Sequence, residues 1–273
     1  TSTGTPTFTI SNTSIAEINS NTGSITTTGV GTTTVWLNLE DDGTYEAATA
    51  SFTLNIETAV LTITADDQTK VFDTAVYTPS NYTSTFTGLV KGENNSVLSG
   101  TLSYTGTALT ATNSGTYVIT PYGLTSSNYS ITYVSGELSI TQKPITIAIT
   151  NQTKVFGASD PSPLNAHTIS VGSVYGQTPT GVFTRTLGED VGIYTIGKGD
   201  LTYGNNYIET FVNGDFEITS RTITVTAAAK SKVYGESDPP LTYTSTPVVG
   251  DPVATGSSAT VTFTGAITRD AGD

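Results

Sequence analysis

Apolar and small polar residues alternate with a period of two in short runs along most of this chain. Leu61-Thr-Ile-Thr64, Ile145-Thr-Ile-Ala-Ile149 and Ile223-Thr-Val-Thr226 are the clearest runs, and each predicts a β-strand with one buried face. Leu138-Ser-Ile140 and Phe216-Glu-Ile218 carry the same pattern further along. Breaks such as Ser127-Asn-Tyr129, Gly204-Asn-Asn206 and Asn213-Gly214 fall between the runs, where hairpin turns need residues that tolerate positive φ. No window sustains a 3.6-residue apolar period, and Thr, Val, Ile and Gly are poor helix formers in bulk. The expected fold is all-β with almost no helix.

The runs recur in register. Gln68-Thr-Lys-Val-Phe72, Gln152-Thr-Lys-Val-Phe156 and Lys230-Ser-Lys-Val-Tyr-Gly235 lie 84 and then 78 residues apart. Gly115-Thr-Tyr117 returns as Gly192-Ile-Tyr194, Asn128-Tyr129 as Asn206-Tyr207, and Gly136-Glu-Leu-Ser-Ile-Thr141 as Gly214-Asp-Phe-Glu-Ile-Thr219. Repetition at this spacing marks a tandem array of modules of about 80 residues. The boundaries expected are residues 1–57, a module of another kind; 58–142 and 143–220, two complete copies; and 221–273, a shorter third copy. Linkers such as Thr141-Gln-Lys-Pro144 and Thr219-Ser-Arg221 are short enough to restrict hinging, so an elongated array of small β-sandwich-like modules is predicted. The third copy reaches Arg269-Asp-Ala-Gly-Asp273 before any Gly-x-Tyr landmark, and the chain has no methionine; both predict a piece of a longer protein.

Composition narrows the function. Charged residues make up only 12% while threonine is about a fifth of the chain, a balance that suits strands with Thr-rich outer faces. Fourteen Tyr and nine Phe supply a core and argue against disorder. A net charge of -13 disfavours nucleic acid and anionic membrane surfaces as partners. No run approaches the roughly 18 apolar residues of a spanning helix, so no membrane insertion by a helix is expected.

Within the first module, Ser11-Asn-Thr-Ser-Ile-Ala16, Gly31-Thr-Thr-Thr34 and Tyr45-Glu-Ala-Ala48 resemble the later strands of bacterial immunoglobulin-like repeats. The three later copies resemble the "mostly beta, glycine-rich" repeats called MBG. The residues that carry this likeness are Lys154-Val-Phe-Gly157 with Asp160-Pro161, Lys232-Val-Tyr-Gly235 with Asp238-Pro239, the run from Gly188 to Tyr194, and Arg269-Asp-Ala-Gly272. The first copy departs from the pattern, with Asp73 in the glycine position and no Asp-Pro. The resemblance implies extracellular, cell-surface β-rich arrays on large bacterial adhesins or related secreted proteins, without enzymatic activity.

Candidate chemistry is sparse. The acidic groups Asp41, Asp42, Asp66, Asp67, Glu189, Asp190, Glu236 and Asp238 offer oxygen ligands for a weak Ca2+ site, although none lies in a recognised Ca2+ loop and solvated turns are the plainer reading. Trp36, the only tryptophan, lies on the opposite face of its strand from Val35, Leu37 and Leu39, where it can stack on a sugar or a partner protein, or pack against a neighbouring module. Lys70, Lys154 and Lys232 occupy one repeated place and raise the question of an isopeptide crosslink, against a turn lysine whose stem covers an aromatic ring. His167 is the sole histidine, there is no cysteine, and no Gly-x-Ser-x-Gly elbow is present; no enzyme and no cofactor are expected.

Two readings of function follow. In the first, the modules are stalk repeats that extend a distant adhesive region, with neighbouring modules of the same chain as their partners. In the second, repeated faces bind glycans or surface proteins weakly and gain by avidity. Threonine arrays can also meet an ice or mineral lattice, but the Thr positions lack a short strict spacing.

Overall fold

The computed structural model describes residues 4–251, 253 and 260–270. The chain divides into two compact units, one ending at Thr141 and the other beginning at Gln142. Among the described residues there are twenty-one strands and three single-turn 3-10 segments, so the all-β expectation holds.

The first unit opens with β1 (Pro6–Ile10), β2 (Ala16–Ile18), β3 (Ile25–Thr27), β4 (Gly31–Leu39) and β5 (Ala48–Ile56). β4 is central in an antiparallel sheet of order β1-β4-β5, and β2 and β3 form a separate hairpin. Thr33 is buried on β4, and its hydroxyl is satisfied by the backbone N–H of Asn12 at 3.1 Å and the Ser11 hydroxyl at 3.0 Å. The Ser11-Asn12 start of this module thus supplies a polar clip.

The first repeat follows as β6 (Ala59–Ala65), β7 (Gln68–Val71), β8 (Ser84–Thr87), β9 (Ser99–Thr105), β10 (Gly115–Thr125), β11 (Tyr129–Val134) and β12 (Gly136–Thr141). They build a four-stranded sheet of order β7-β12-β10-β9 and a three-stranded sheet of order β11-β6-β8. Two pairings are parallel: β11 beside β6, and β12 beside β7. The apolar positions of β6 point inward, with Leu61 and Ile63 fully buried against Tyr129, Phe86, Leu102 and Ile131. Burial of apolar area, at about 25 cal/mol per Å2, is the main stabilising term here.

The second unit repeats this plan with β13 (Lys143–Ile149), β14 (Gln152–Val155), β15 (His167–Val171), β16 (Thr184–Arg185), β17 (Gly192–Gly197), β18 (Tyr207–Val212) and β19 (Gly214–Thr219). The sheets are β14-β19-β17-β16 and β15-β13-β18, and again β18 runs parallel to β13 and β19 parallel to β14. Each closing strand begins with a glycine because it crosses the end of the opening strand closely. A Cβ on Gly136 would lie 2.3 Å from the carbonyl oxygen of Ala65, and one on Gly214 would lie 2.8 Å from that of Ile149.

The third copy departs from its sequence pattern. Its described strands are β20 (Thr224–Ala227) and β21 (Tyr243–Thr246), paired antiparallel. The alternation of Ile223-Thr-Val-Thr226 predicts a buried face, yet Ile223 and Val225 are 49% and 55% exposed, whereas Ile145 and Ile147 at the same places in the second repeat are 1% and 0% exposed. Residues 230–233, which match β7 and β14 in sequence, form no strand here. Alternation supplies an apolar face, but burial needs strands to cover it.

Candidate functional site

In the second repeat, β14 ends in the Lys154-Val-Phe-Gly turn, and Asp160 lies six residues beyond Lys154. The lysine ammonium contacts Asp160 Oδ1 at 2.7 Å and also donates to Glu189. From β16, Arg185 donates through Nε to Asp160 Oδ2 at 2.6 Å and through Nη2 to Glu189 Oε1 at 2.5 Å. The Arg185 Nη1 group caps the carbonyls of Thr186 and Gly188 at 2.9 and 2.7 Å. Two cations and two carboxylates therefore balance, while the cation side chains are only 4% and 8% exposed. The floor of the cluster is Phe216 of the closing strand: the Arg185 guanidinium carbon lies 4.8 Å, and the Lys154 nitrogen 6.0 Å, from its ring centre. A planar fork that bridges two carboxylates over an aromatic ring is the geometry arginine favours and lysine cannot copy.

Electrostatics keep the cluster ionised. Arg185 first, and Lys154 after it, hold Asp160 below the ordinary carboxylate range against the effect of burial. The lysine does the same for Glu189, with help from Arg185. Burial pushes Lys154 down, but its bonds to Asp160 and Glu189 outweigh that and raise it. Amide formation between Lys154 and Asp160 needs a neutral amine and a protonated acid, and the cluster favours the opposite state of both. The geometry is that of an ion network.

The other copies hold versions of it. Lys70 donates to Asp73 at 2.5 Å and to the Ala75 carbonyl at 2.5 Å. Gly106 stands where Arg185 stands in the second repeat, because Thr107 and Thr186 each accept, through the side-chain hydroxyl, the matching backbone N–H of Val118 and Thr195. In the third copy, Asp238 receives Lys232 and Arg269, each at 2.6 Å, but these cation side chains are 41% and 51% exposed. Asp273, four residues after Arg269 as Glu189 is after Arg185, lies outside the described residues.

The sequence singled out Lys154 and Glu189 but not Arg185. A signal was present: both later copies carry Lys-x5-Asp, and both carry Arg followed four residues on by an acid. Proximity of those two spacings is set by the sheet, in which β19 lies between β14 and β17, and β16 lies beyond β17.

The remaining acidic candidates are scattered among turns and clips. Asp41 Oδ1 accepts the Gly43 N–H at 2.7 Å, and Asp42 Oδ1 accepts those of Thr44 and Tyr45. Asp66 accepts from the Thr85 hydroxyl. Asp67 accepts the Glu137 N–H at 2.8 Å, tying down the closing strand, as Asn151 does for Asp215 at 2.9 Å. Asp190 offers its backbone carbonyl to the Tyr194 hydroxyl at 2.9 Å, matching Asn113 and Tyr117. Glu236 and Asp238 lie on an exposed turn. Among the described residues no group of three or more Asp, Glu or His side chains converges to hold a metal ion.

Trp36 is half-buried on the β4 face opposite Val35, beside exposed Thr9 and Ser51. His167 lies between the Asn165 carbonyl at 2.7 Å and the Tyr203 hydroxyl at 2.9 Å, edge-on to Phe183. Tyr129 and Tyr207 are both 4% exposed, and their hydroxyls bind Val90 N–H and the Val174 carbonyl at matching loop positions. Within the first unit, Lys91 of that loop donates to the Thr27 carbonyl of the preceding module.

A search of curated proteins found no match. Among solved structures, domains 4–9 of the surface layer protein SbsC align with 83% of this chain at 13% identity and a TM-score of 0.23. The chain spans 41% of that structure's length. A family profile described as the MBG domain (YGX type) matches residues 61–139, 145–217 and 223–273. With three tandem matches over most of its length, the chain belongs to the MBG domain (YGX type) family.

Proposed function

We propose that these repeats are tension-resisting spacer modules of a cell-surface or secreted bacterial adhesin, holding a distal adhesive region away from the cell, and that they carry no enzymatic activity. The observation that supports this reading is the pairing of early with late strands in both complete repeats. β6 and β7 pair in parallel with β11 and β12, and β13 and β14 do so with β18 and β19. When force is applied to the two ends of a repeat, the partners slide past one another along the ladder. Their hydrogen bonds are then loaded together rather than one at a time. The buried ion cluster adds a tie between the end of β14 and β16, on either side of the closing strand.

Pulling on the chain by its ends tests the idea. Two dominant rupture events are expected, each releasing about 25 nm from a repeat of about 80 residues. Smooth extension without such events would overturn the spacer reading. Binding to a glycan panel and to host-like surfaces, run with Ca2+ and with chelator, tests the alternative of a multivalent binder. Specific signal lost in Trp36→Ala or in chelator would favour that alternative and locate its site.

A further inference from the structure

The copies share one more recurrence, a turn. Val90-Lys-Gly-Glu93 returns as Val174-Tyr-Gly-Gln177 and as Val248-Val-Gly-Asp251. In each, the N–H of the fourth residue donates to the carbonyl of the first, at 3.0, 2.9 and 3.0 Å. The first two turns hold their second residue at positive φ, 59° for Lys91 and 50° for Tyr175, followed by a glycine at 74° and 76°. Asn-Gly or Gly-Gly suits such a turn, whereas lysine and tyrosine are disfavoured there. A side chain kept at a costly backbone position points to a use for that side chain. The Asn-Tyr landmark sets where the turn lies. The Asn128 carbonyl accepts the N–H of Ala59, the first residue of β6, at 3.0 Å; the Tyr129 hydroxyl accepts the Val90 N–H at 3.1 Å and donates to Glu93. In the second repeat, the Asn206 carbonyl accepts the Lys143 N–H at 2.9 Å, and the Tyr207 hydroxyl donates to the Val174 carbonyl at 3.2 Å. One dipeptide thus anchors both the incoming strand and the base of the turn, so the tip is held where the chain enters the repeat.

From that place the tip reaches back along the chain. The Lys91 ammonium donates to the carbonyl of Thr27, the last residue of β3 in the preceding module. Thr27 sits on a braced hairpin, since the next two N–H groups, of Thr28 and Gly29, both donate to the Ile15 carbonyl at 2.9 and 3.0 Å. Among the described residues no strand of β1–β5 is hydrogen-bonded to one of β6–β12. A cavity of ≈ 100 Å3 lies between them, lined by Thr27, Val30, Ile56, Glu57, Lys91 and Glu93. The lysine is therefore a strut across a gap. In the second repeat the tip meets the linker instead, with Lys143 Nζ 5.1 Å from the ring centre of Tyr175.

We propose that the Val-x-Gly turn is the latch of the module joint, and that Lys91 at its tip fixes the direction of the first repeat relative to the module before it. The two-residue linker Glu57-Thr58 limits how far β5 and β6 can separate, but it sets no angle, because each residue keeps two soft dihedrals. Lys91 supplies the angle by tying a turn anchored beside β6 to a hairpin of the other module. The turn itself needs only its glycine and its tyrosine-held base, so the tip residue is free to suit what precedes each copy: a hairpin carbonyl for Lys91, a linker cation for Tyr175. The use of a fixed direction, a stalk that keeps its course, rests on the spacer reading above.

The chain has no cysteine, so two introduced ones can be spin-labelled selectively. Thr53→Cys on β5 and Thr132→Cys on β11, both at exposed positions, report the distance between module and repeat in the full 273-residue chain. One narrow distance distribution is expected. Lys91→Asn, which suits positive φ but is too short to reach Thr27, should broaden it at least about twofold, while amide exchange at 61–64 stays the same or slows. Lys91→Arg, which keeps a long donor, should leave it narrow. A broad distribution in the otherwise unaltered chain, or a narrow one in Lys91→Asn, would overturn the proposal. So would exchange at 61–64 at least about tenfold faster in Lys91→Asn, because the lysine would then be serving the repeat's own fold. The labels read direction without load, so a failed latch is distinguished from a failed spacer, which shows only in the rupture events.

Discussion

Arg185 does more than any other side chain to hold the second repeat's turn region in place. It bridges Asp160 and Glu189, caps two carbonyls and covers Phe216. Arg185→Ala would leave Asp160 partly buried beside one lysine, and we expect a loss of about 2–3 kcal/mol in the stability of that repeat by denaturant unfolding. Lys154→Met should cost less, about 1–2 kcal/mol, because Glu189 is largely exposed and Arg185 still pairs with both acids. The equivalent Arg269→Ala, on an exposed cation, should leave the melting profile unchanged. The sign of the pH response follows from the same contacts. Asp160 and Glu189 are lowered from ordinary values of 3.8 and 4.5, so their stabilisation is complete above that range and is lost as the pH falls through their folded values. Lys154 is raised from 10.5, so its share is lost only at more alkaline pH. Thermal melts should therefore be flat from about pH 6 to 9 in this respect and decline below about pH 4, with Asp160→Asn showing a shallower decline. Gly214→Ala tests a different residue-scale constraint. Its Cβ would press on the Ile149 carbonyl, and a loss of about 2 kcal/mol is expected for the second repeat.

At the scale of elements, one motif has two fates. Gln68–Val71 and Gln152–Val155 are strands because β12 and β19 lie beside them, while residues 230–233, with nearly the same sequence, are not. A four-residue strand makes too few hydrogen bonds to persist without a partner. Hydrogen exchange should register this directly: the amides of Val71 and Val155 should exchange at least about tenfold more slowly than that of Val233. Equal rates would mean that the motif is ordered by its own turn rather than by the neighbouring strand. The opening strands tell the same story. The alternation in Leu61–Thr64 and Ile145–Ile149 correctly marks the buried face, since other strands complete both cores. The same alternation at Ile223–Thr226 points to a face that has no cover among the described residues. The first strand, Pro6–Ile10, also alternates, with Phe8 and Ile10 set among Thr7 and Thr9, but its place beside β4 is fixed only by the tertiary register.

At the scale of the whole chain, the spacer function proposed above rests on repetition rather than on a single centre. Each complete repeat links its beginning to its end through two parallel ladders, and this arrangement is what a spacer under tension requires. A chain carrying Ile140→Pro and Ile218→Pro, which remove a ladder donor from each closing strand, should rupture at lower force than the unaltered chain. If the forces match, the ladders are not what bears the load.

The sequence by itself determined the repeat and the all-β class, because these depend on local spacing: period two within a strand and about 80 residues between copies. It also marked Lys154, Asp160, Asp238 and the tyrosines as recurring, and Glu189 as an acidic candidate, without showing their roles. Only the tertiary structure decided that Arg185 joins Lys154 across the sheet, that Asp67 and Asn151 are clips for a closing strand, and that residues 230–233 form no strand. Those outcomes depend on which strands lie side by side, and strand order brings together residues up to about 70 positions apart through contacts that no local pattern encodes.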